Sequence, residues 1–256
     1  MQTYDFTLFP GCSPQAVAET VRTHGVAHIP GYLDPSMTRT VAAQCRALLD
    51  ADEPWITRLK YSLGRSVRVE RDRIQTTTEY TTVHATYSST FMRGVADEFM
   101  EGRAYLFNYD LYVAYDVEGS HHFAHRLHYD RVPHLKFFIY LTDVTDQTGP
   151  LLVVSSSHRF ALEAQAANRS TGNVPTEEET RIVPEEYKSH GVRILGRTGT
   201  LIVFNSDIVH AATHIVTGER LVIRSRCIES RHLEAVHHQL ELNAQVAPLC
   251  ASTPGG

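Results

Sequence analysis

Apolar positions along the chain repeat with helical spacing before about residue 104 and with strand-like spacing after it. Residues 14–24 predict a short helix, with Ser13 as cap and Pro14 at the first helical position. Gly25 to Pro30 is a short apolar run that stops at proline and glycine, as a strand does. Leu33-Asp34-Pro35-Ser36 opens a second helix with Asp34 as N-cap. Val41, Ala42, Cys45, Leu48 and Leu49 give its apolar stripe. Residues 88–101 predict a further helix.

The later segments are rich in aromatic and β-branched residues. They are Tyr105–Tyr115, Arg126–Asp130, Leu135–Leu141, Pro150–Ser155, Gly191–Leu195, Gly199–Phe204, His210–Val216 and Arg220–Arg226. Short strands broken by Gly and Asp turns predict a β-sandwich or jelly roll. A polar interlude at 161–189 reads as an insert, and the end from about 243 to 256 as a frayed tail. Nothing reads as a linker or repeat, so one domain over residues 1–256 is expected.

The net charge of −5 offers no bulk basic field for nucleic acid. The opening lacks the basic and apolar regions of a signal peptide, and no apolar run is long enough to span a bilayer. A soluble, cytoplasmic protein without membrane or nucleic-acid partners, monomeric or homodimeric, is the expectation. Four cysteines at wide, irregular spacing read as reduced thiols. One basic stretch, residues 55–80, carries Arg58, Lys60, Arg65, Arg68, Arg71 and Arg73. It is a solvated loop or hairpin, or else a wall that attracts an anionic substrate.

Histidine is abundant, at 15 residues, and most of these cannot be ligands. The informative set is His128-Tyr129-Asp130 with His210. A His and an Asp two apart on a strand share a face. A second His from a distant strand completes two imidazoles and a carboxylate, the facial set that holds non-haem Fe(II) and leaves positions open. His214, four after His210, is a rival ligand. Arg220 follows on the next strand, and its planar fork suits the far carboxylate of a keto acid. Arg224 and Arg226 share its strand face, so which arginine holds the keto acid stays open.

These pieces, in order, resemble the phytanoyl-CoA dioxygenase family of Fe(II)- and 2-oxoglutarate-dependent oxygenases. They are Thr23 to Pro35, His128-Tyr129-Asp130, Leu141-Thr142-Asp143 through Thr148-Gly149-Pro150-Leu151, Ser155 to Arg159, and Gly199 to His210. The resemblance implies a mainly β fold, a cupin-like double-stranded β-helix (jelly roll) with N-terminal helices. It implies His128, Asp130 and His210 as metal ligands and Arg220 as the keto-acid anchor. Its co-reactants would be Fe(II), 2-oxoglutarate and O2, with succinate and CO2 released as an unactivated C–H bond is hydroxylated. Desaturation or cyclisation are variants of the same chemistry. Halogenating relatives carry Gly or Ala where this chain has Asp130, which argues against halogenation.

Thr213, Tyr140 and Lys136 are further candidates for contact with the co-substrate. Arg224, Arg126, Tyr112 and Asn108, with Trp55, are candidates for lining the substrate pocket. The basic residues point to a small anionic or carboxylate-bearing substrate. Two other readings stand beside this one. A cupin-like metalloenzyme, an isomerase or hydrolase, would use the same ligands without 2-oxoglutarate, and a non-enzymatic binding barrel would use none of them.

Overall fold

The computed structural model describes residues 3–61, 63–107, 110–120, 123–130, 132–159, 163 and 183–234. Asn108, most of the polar interlude and the C-terminal tail lie outside them. The helices are α1 (Pro14–His24), α2 (Pro35–Asp50), α3 (Arg71–Thr76), α4 (Thr81–Tyr87) and α5 (Thr90–Met100). Their starts follow local chemistry. Ser13 accepts from the N–H of Ala16, and Asp34 accepts from those of Ser36 and Met37, satisfying donors that a first helical turn leaves unpaired. Helix α1 ends at Gly25, whose φ of 78° suits the left-handed cap. A Cβ there would meet Ile208 Cγ2 at 2.0 Å, so the close approach also requires glycine.

The strands are β1 (Val26–Ile29), β2 (Ile56–Tyr61), β3 (Gly64–Glu70), β4 (Tyr105–Phe107), β5 (Asp110–Val117), β6 (Leu135–Tyr140), β7 (Leu151–Val153), β8 (Val192–Ile194), β9 (Leu201–Asn205), β10 (His210–Ala212) and β11 (Glu219–Glu229). Eight of them form one sheet in the order β1-β9-β6-β11-β5-β3-β2, with β4 also on β11. A smaller sheet has the order β10-β7-β8. All these pairings are antiparallel. The fold is the mainly β, jelly-roll architecture that the sequence implied.

Period-two alternation gives the large sheet two distinct faces. Val113, Phe137, Ile139, Val203, Leu221 and Ile223 pack on one face against Val17, Val21, Val41, Leu48, Met92 and Val95 of the helices. On the other face Tyr140, Ile202, Phe204 and Val222 join Leu151, Val153 and Ile194 of the small sheet. β11 is central and covered on both sides, which is why its sequence reads as nearly continuous rather than alternating.

Two sequence expectations are revised. The run 105–115 is two strands, β4 and β5, which both pair with β11. The strand expected over 210–216 ends at Ala212. For the basic stretch the structure shows the hairpin reading. Its first part is the β2–β3 hairpin at the sheet edge, followed by α3. Arg58 donates to the carbonyls of Leu49 and Ala51 at the end of α2, and Arg65 reaches Asp50 at 2.6 Å. These cations tie the hairpin to the carbonyl end of a helix, where positive charge is favoured.

Candidate active site

The segment His128-Tyr129-Asp130 is not a regular strand. His128 forms an isolated antiparallel bridge with His210, its N–H donating to the His210 carbonyl at 2.9 Å and its carbonyl accepting from the His210 N–H at 2.7 Å. The Asp130 N–H donates to Ser206 at 2.9 Å. The three side chains converge because this short segment is pinned to β10 and to the turn before it. Among the described residues they are the one group of three such side chains with ligand atoms gathered together, all within 4.8 Å.

The imidazoles are oriented by their own chain. His128 Nδ1 lies 2.7 Å from the Arg126 carbonyl, and His210 Nδ1 lies 2.8 Å from that of Ile208. A carbonyl only accepts, so each Nδ1 carries the proton and each Nε2 keeps its lone pair toward the centre. Burial, reinforced by His128 and Lys136, holds His210 well below the usual imidazole range, so it stays neutral.

Asp130 is the complementary charge. Burial opposes its ionisation, yet Lys136 and the surrounding imidazoles outweigh burial and hold its carboxyl well below the usual range. Lys136 Nζ sits 2.5 Å from Oδ2, and His134 Nδ1 lies 3.6 Å from the same oxygen. The other oxygen, Oδ1, faces His210 Nε2 at 3.7 Å and His128 Nε2 at 4.0 Å. One carboxylate oxygen is thus engaged by protein, while the other faces the Nε2 atoms of two imidazoles. That donor set fits a divalent first-row metal, with a second layer of partners fixing its orientation.

A cavity opens between the sheets, and its wall is built in cross-strand rows. Tyr112, Arg224 and Phe138 make one row, and Ala114, Val222 and Tyr140 the next. Asp116 and Arg220 close the series. Ala212, Leu151 and Ala124 face them. Arg220 is buried. Its Nε and Nη2 donate to Asp116 Oδ2 at 3.3 Å and 2.7 Å, and its Nη1 donates to the Gly149 carbonyl. The Arg224 guanidinium lies 3.9 Å from the centre of the Tyr112 ring. The Tyr140 hydroxyl donates to Ile194 at 3.0 Å and accepts from Leu151 at 3.1 Å, and burial pushes its pKa up to about 12.

The structure therefore brings Arg220, Arg224, Tyr112 and Tyr140 to one cavity and Lys136 to the His128–Asp130–His210 cluster. Thr213 and Arg126 are not part of the cavity wall. Thr213 donates to the Pro150 carbonyl at 2.7 Å, and the Arg126 side chain is exposed while its carbonyl orients His128. Trp55 packs against the helical core with Tyr80. His214 lies outside the ligand cluster and contacts His125, with ring centres 4.2 Å apart.

Two site residues escaped the sequence reading. Asp116 follows Tyr112 and Ala114 by the period-two rule, so extending that strand by one residue would have found it. His134 is fully buried beside Asp130, and burial together with Arg226 pushes its pKa down to about 3. Its only sequence signal is being one more histidine in a histidine-rich chain.

Solved structures with this fold include three similar ones. The epimerase SnoN in complex with Fe3+, alpha-ketoglutarate and nogalamycin RO is 20% identical, with a TM-score of 0.61 over 85% of this chain and 84% of that one. The alpha-ketoglutarate-dependent carbocyclase SnoK from nogalamycin biosynthesis is 18% identical, with a TM-score of 0.59 over 84% and 83%. AviO1 from Streptomyces viridochromogenes Tue57 is 16% identical, with a TM-score of 0.55 over 85% and 96%. No curated protein sequence matches the chain. No described helix is long and apolar enough to cross a membrane. The family model for phytanoyl-CoA dioxygenase (PhyH) matches residues 21–222, and the protein belongs to that family, which uses Fe(II), 2-oxoglutarate and O2.

Proposed function

We propose that the protein is an Fe(II)- and 2-oxoglutarate-dependent dioxygenase that hydroxylates an unactivated C–H bond of a small, anionic or carboxylate-bearing molecule. In this reading His128, Asp130 and His210 hold the iron, and Arg220 anchors the far carboxylate of 2-oxoglutarate. The observation that carries it is the convergence of two imidazole Nε2 atoms and one carboxylate oxygen, with Ala212, two residues along β10 from His210, on the wall of the cavity that Arg220 and Arg224 line.

Bound iron, with 2-oxoglutarate and O2, supplies the oxidising power, and succinate and CO2 are released. The chain's own residues do the rest. Carbonyls of Arg126 and Ile208 fix the imidazole tautomers. Lys136 holds one oxygen of Asp130, which leaves the other for the metal. Val222, Ala114 and Phe138 give the middle of the cavity an apolar wall that excludes water, and Arg224 on Tyr112 offers a second cation for an anionic substrate.

The test is a screen of small carboxylates with protein, Fe(II), 2-oxoglutarate and O2, following succinate and product mass. The proposal expects substrate-dependent succinate and a product carrying one added oxygen atom. A product of unchanged mass, or one that has lost two hydrogens, would replace hydroxylation by epimerisation or by ring closure or desaturation. The two Sno structures, an epimerase and a carbocyclase, make those outcomes the pertinent controls.

A further inference from the structure

We infer that Asp116 is a positioning residue that aims Arg220 at the co-substrate; the inference rests on Arg220 being the keto-acid anchor. The two residues are direct cross-strand partners on β5 and β11, and only 1% and 7% of their surfaces are exposed. Arginine carries five N–H groups in a rigid fork. Asp116 Oδ2 takes those of Nε and Nη2, and the Gly149 carbonyl takes one from Nη1. This leaves one N–H on each Nη for a further acceptor. Two parallel N–H groups are what a carboxylate needs for bidentate binding.

The cavity wall places Asp116 and Arg220 together beyond the apolar row of Ala114, Val222 and Tyr140. The pair carries no net charge there, so this end does not attract anions by bulk field. Binding depends instead on how well the remaining fork is aimed. An arginine without its acceptor would have to give up side-chain freedom on binding, which Asp116 removes beforehand. Asp116 itself meets no reacting atom and acts through Arg220.

The experiment is an anaerobic titration of the Fe(II)-loaded protein with 2-oxoglutarate, read by the visible charge-transfer band, alongside a separate measurement of Fe(II) affinity. The variants are Asp116→Ala, Asp116→Asn, Arg220→Ala and the double variant Asp116→Ala with Arg220→Ala. Asp116→Ala should weaken 2-oxoglutarate about tenfold or more, the scale of a lost aimed interaction, while Fe(II) affinity stays within about twofold. Asp116→Asn keeps an acceptor oxygen and should restore affinity to within about threefold of wild type. The double variant should bind no more weakly than Arg220→Ala alone, because Asp116 has nothing left to aim.

Should Asp116→Ala fail to fold, Asp116→Ser, too short to span the gap, takes its place beside the double variant. Additive losses in the double variant overturn the inference, as does an Asp116→Asn as weak as Asp116→Ala. If Arg220→Ala binds 2-oxoglutarate like wild type, the anchor reading itself fails and the inference falls with it. If Arg220→Ala is weak and Asp116→Ala is not, the inference alone falls.

Discussion

Replacing Lys136 by methionine should destabilise the metal-free protein far more than it destabilises the metal-loaded one. Lys136 Nζ and Asp130 Oδ2 are 2.5 Å apart, with side chains only 8% and 17% exposed. At an effective dielectric constant of about 20, a unit pair at this distance attracts by roughly 7 kcal/mol before desolvation is subtracted. Removing one partner of such a buried pair costs about 3–5 kcal/mol, because the other charge stays uncompensated. Methionine keeps most of the side-chain volume, so packing adds little. Urea unfolding of the metal-free Lys136→Met variant should therefore show a loss of about 3–5 kcal/mol. A divalent cation bound between His128, Asp130 and His210 would supply the missing positive charge. Anaerobic unfolding with saturating Fe(II) should then show a clearly smaller deficit. A metal-free variant within about 1 kcal/mol of wild type would show that Asp130 does not depend on Lys136.

Other outcomes follow from single contacts. Gly149 has φ of 75°, and a Cβ there would meet Ile215 Cγ1 at 2.7 Å and the Thr213 carbonyl at 2.9 Å. Gly149→Ala should lose about 2–4 kcal/mol in urea unfolding from backbone strain and overpacking, and should weaken 2-oxoglutarate because the Gly149 carbonyl helps to hold Arg220; a neutral result in both assays refutes this. His28 is fully buried, and burial lowers its pKa from 6.5 to about 4. The folded state resists a proton that the unfolded chain accepts, so stability present above pH 6.5 should fall by up to about 3 kcal/mol as pH drops to about 4. Unfolding curves of wild type and His28→Gln across that window should converge toward low pH, and parallel curves would contradict the assignment. Arg126→Ala should leave Fe(II) affinity within about twofold of wild type, because the backbone carbonyl, not the side chain, orients His128; a larger loss by metal titration would give the side chain a role.

The sequence carried the helices well where capping chemistry is local. Ser13 and Asp34 act as the caps their positions announced. It pointed to the candidate trio because those residue types are few in kind, even though the geometry that gathers them is different. Strand alternation was to align His128 with Asp130, whereas a bridge to His210 and a hydrogen bond to Ser206 do so. Such tertiary pinning has no period to read. The same limit applies to Lys136, whose strand face was legible but whose reach to Asp130 depends on where a loop folds back. Asp116 lay one residue past the expected strand end, where an acidic residue ordinarily reads as a turn, and the β5–β11 register is what pairs it with Arg220. The basic stretch read as a loop or hairpin, or else as a wall for an anion; the hairpin forms, and Arg58 and Arg65 tie it to the end of α2.

The most direct test of the central claim is the anaerobic titration of wild type and His210→Ala with Fe(II) and then 2-oxoglutarate, watching for the charge-transfer band of an iron-chelated keto acid. The account predicts a saturable band in wild type and none in His210→Ala at the same concentrations, with His210→Ala still folded by circular dichroism. Wild-type protein that binds Fe(II) yet shows no band at saturating 2-oxoglutarate would contradict it.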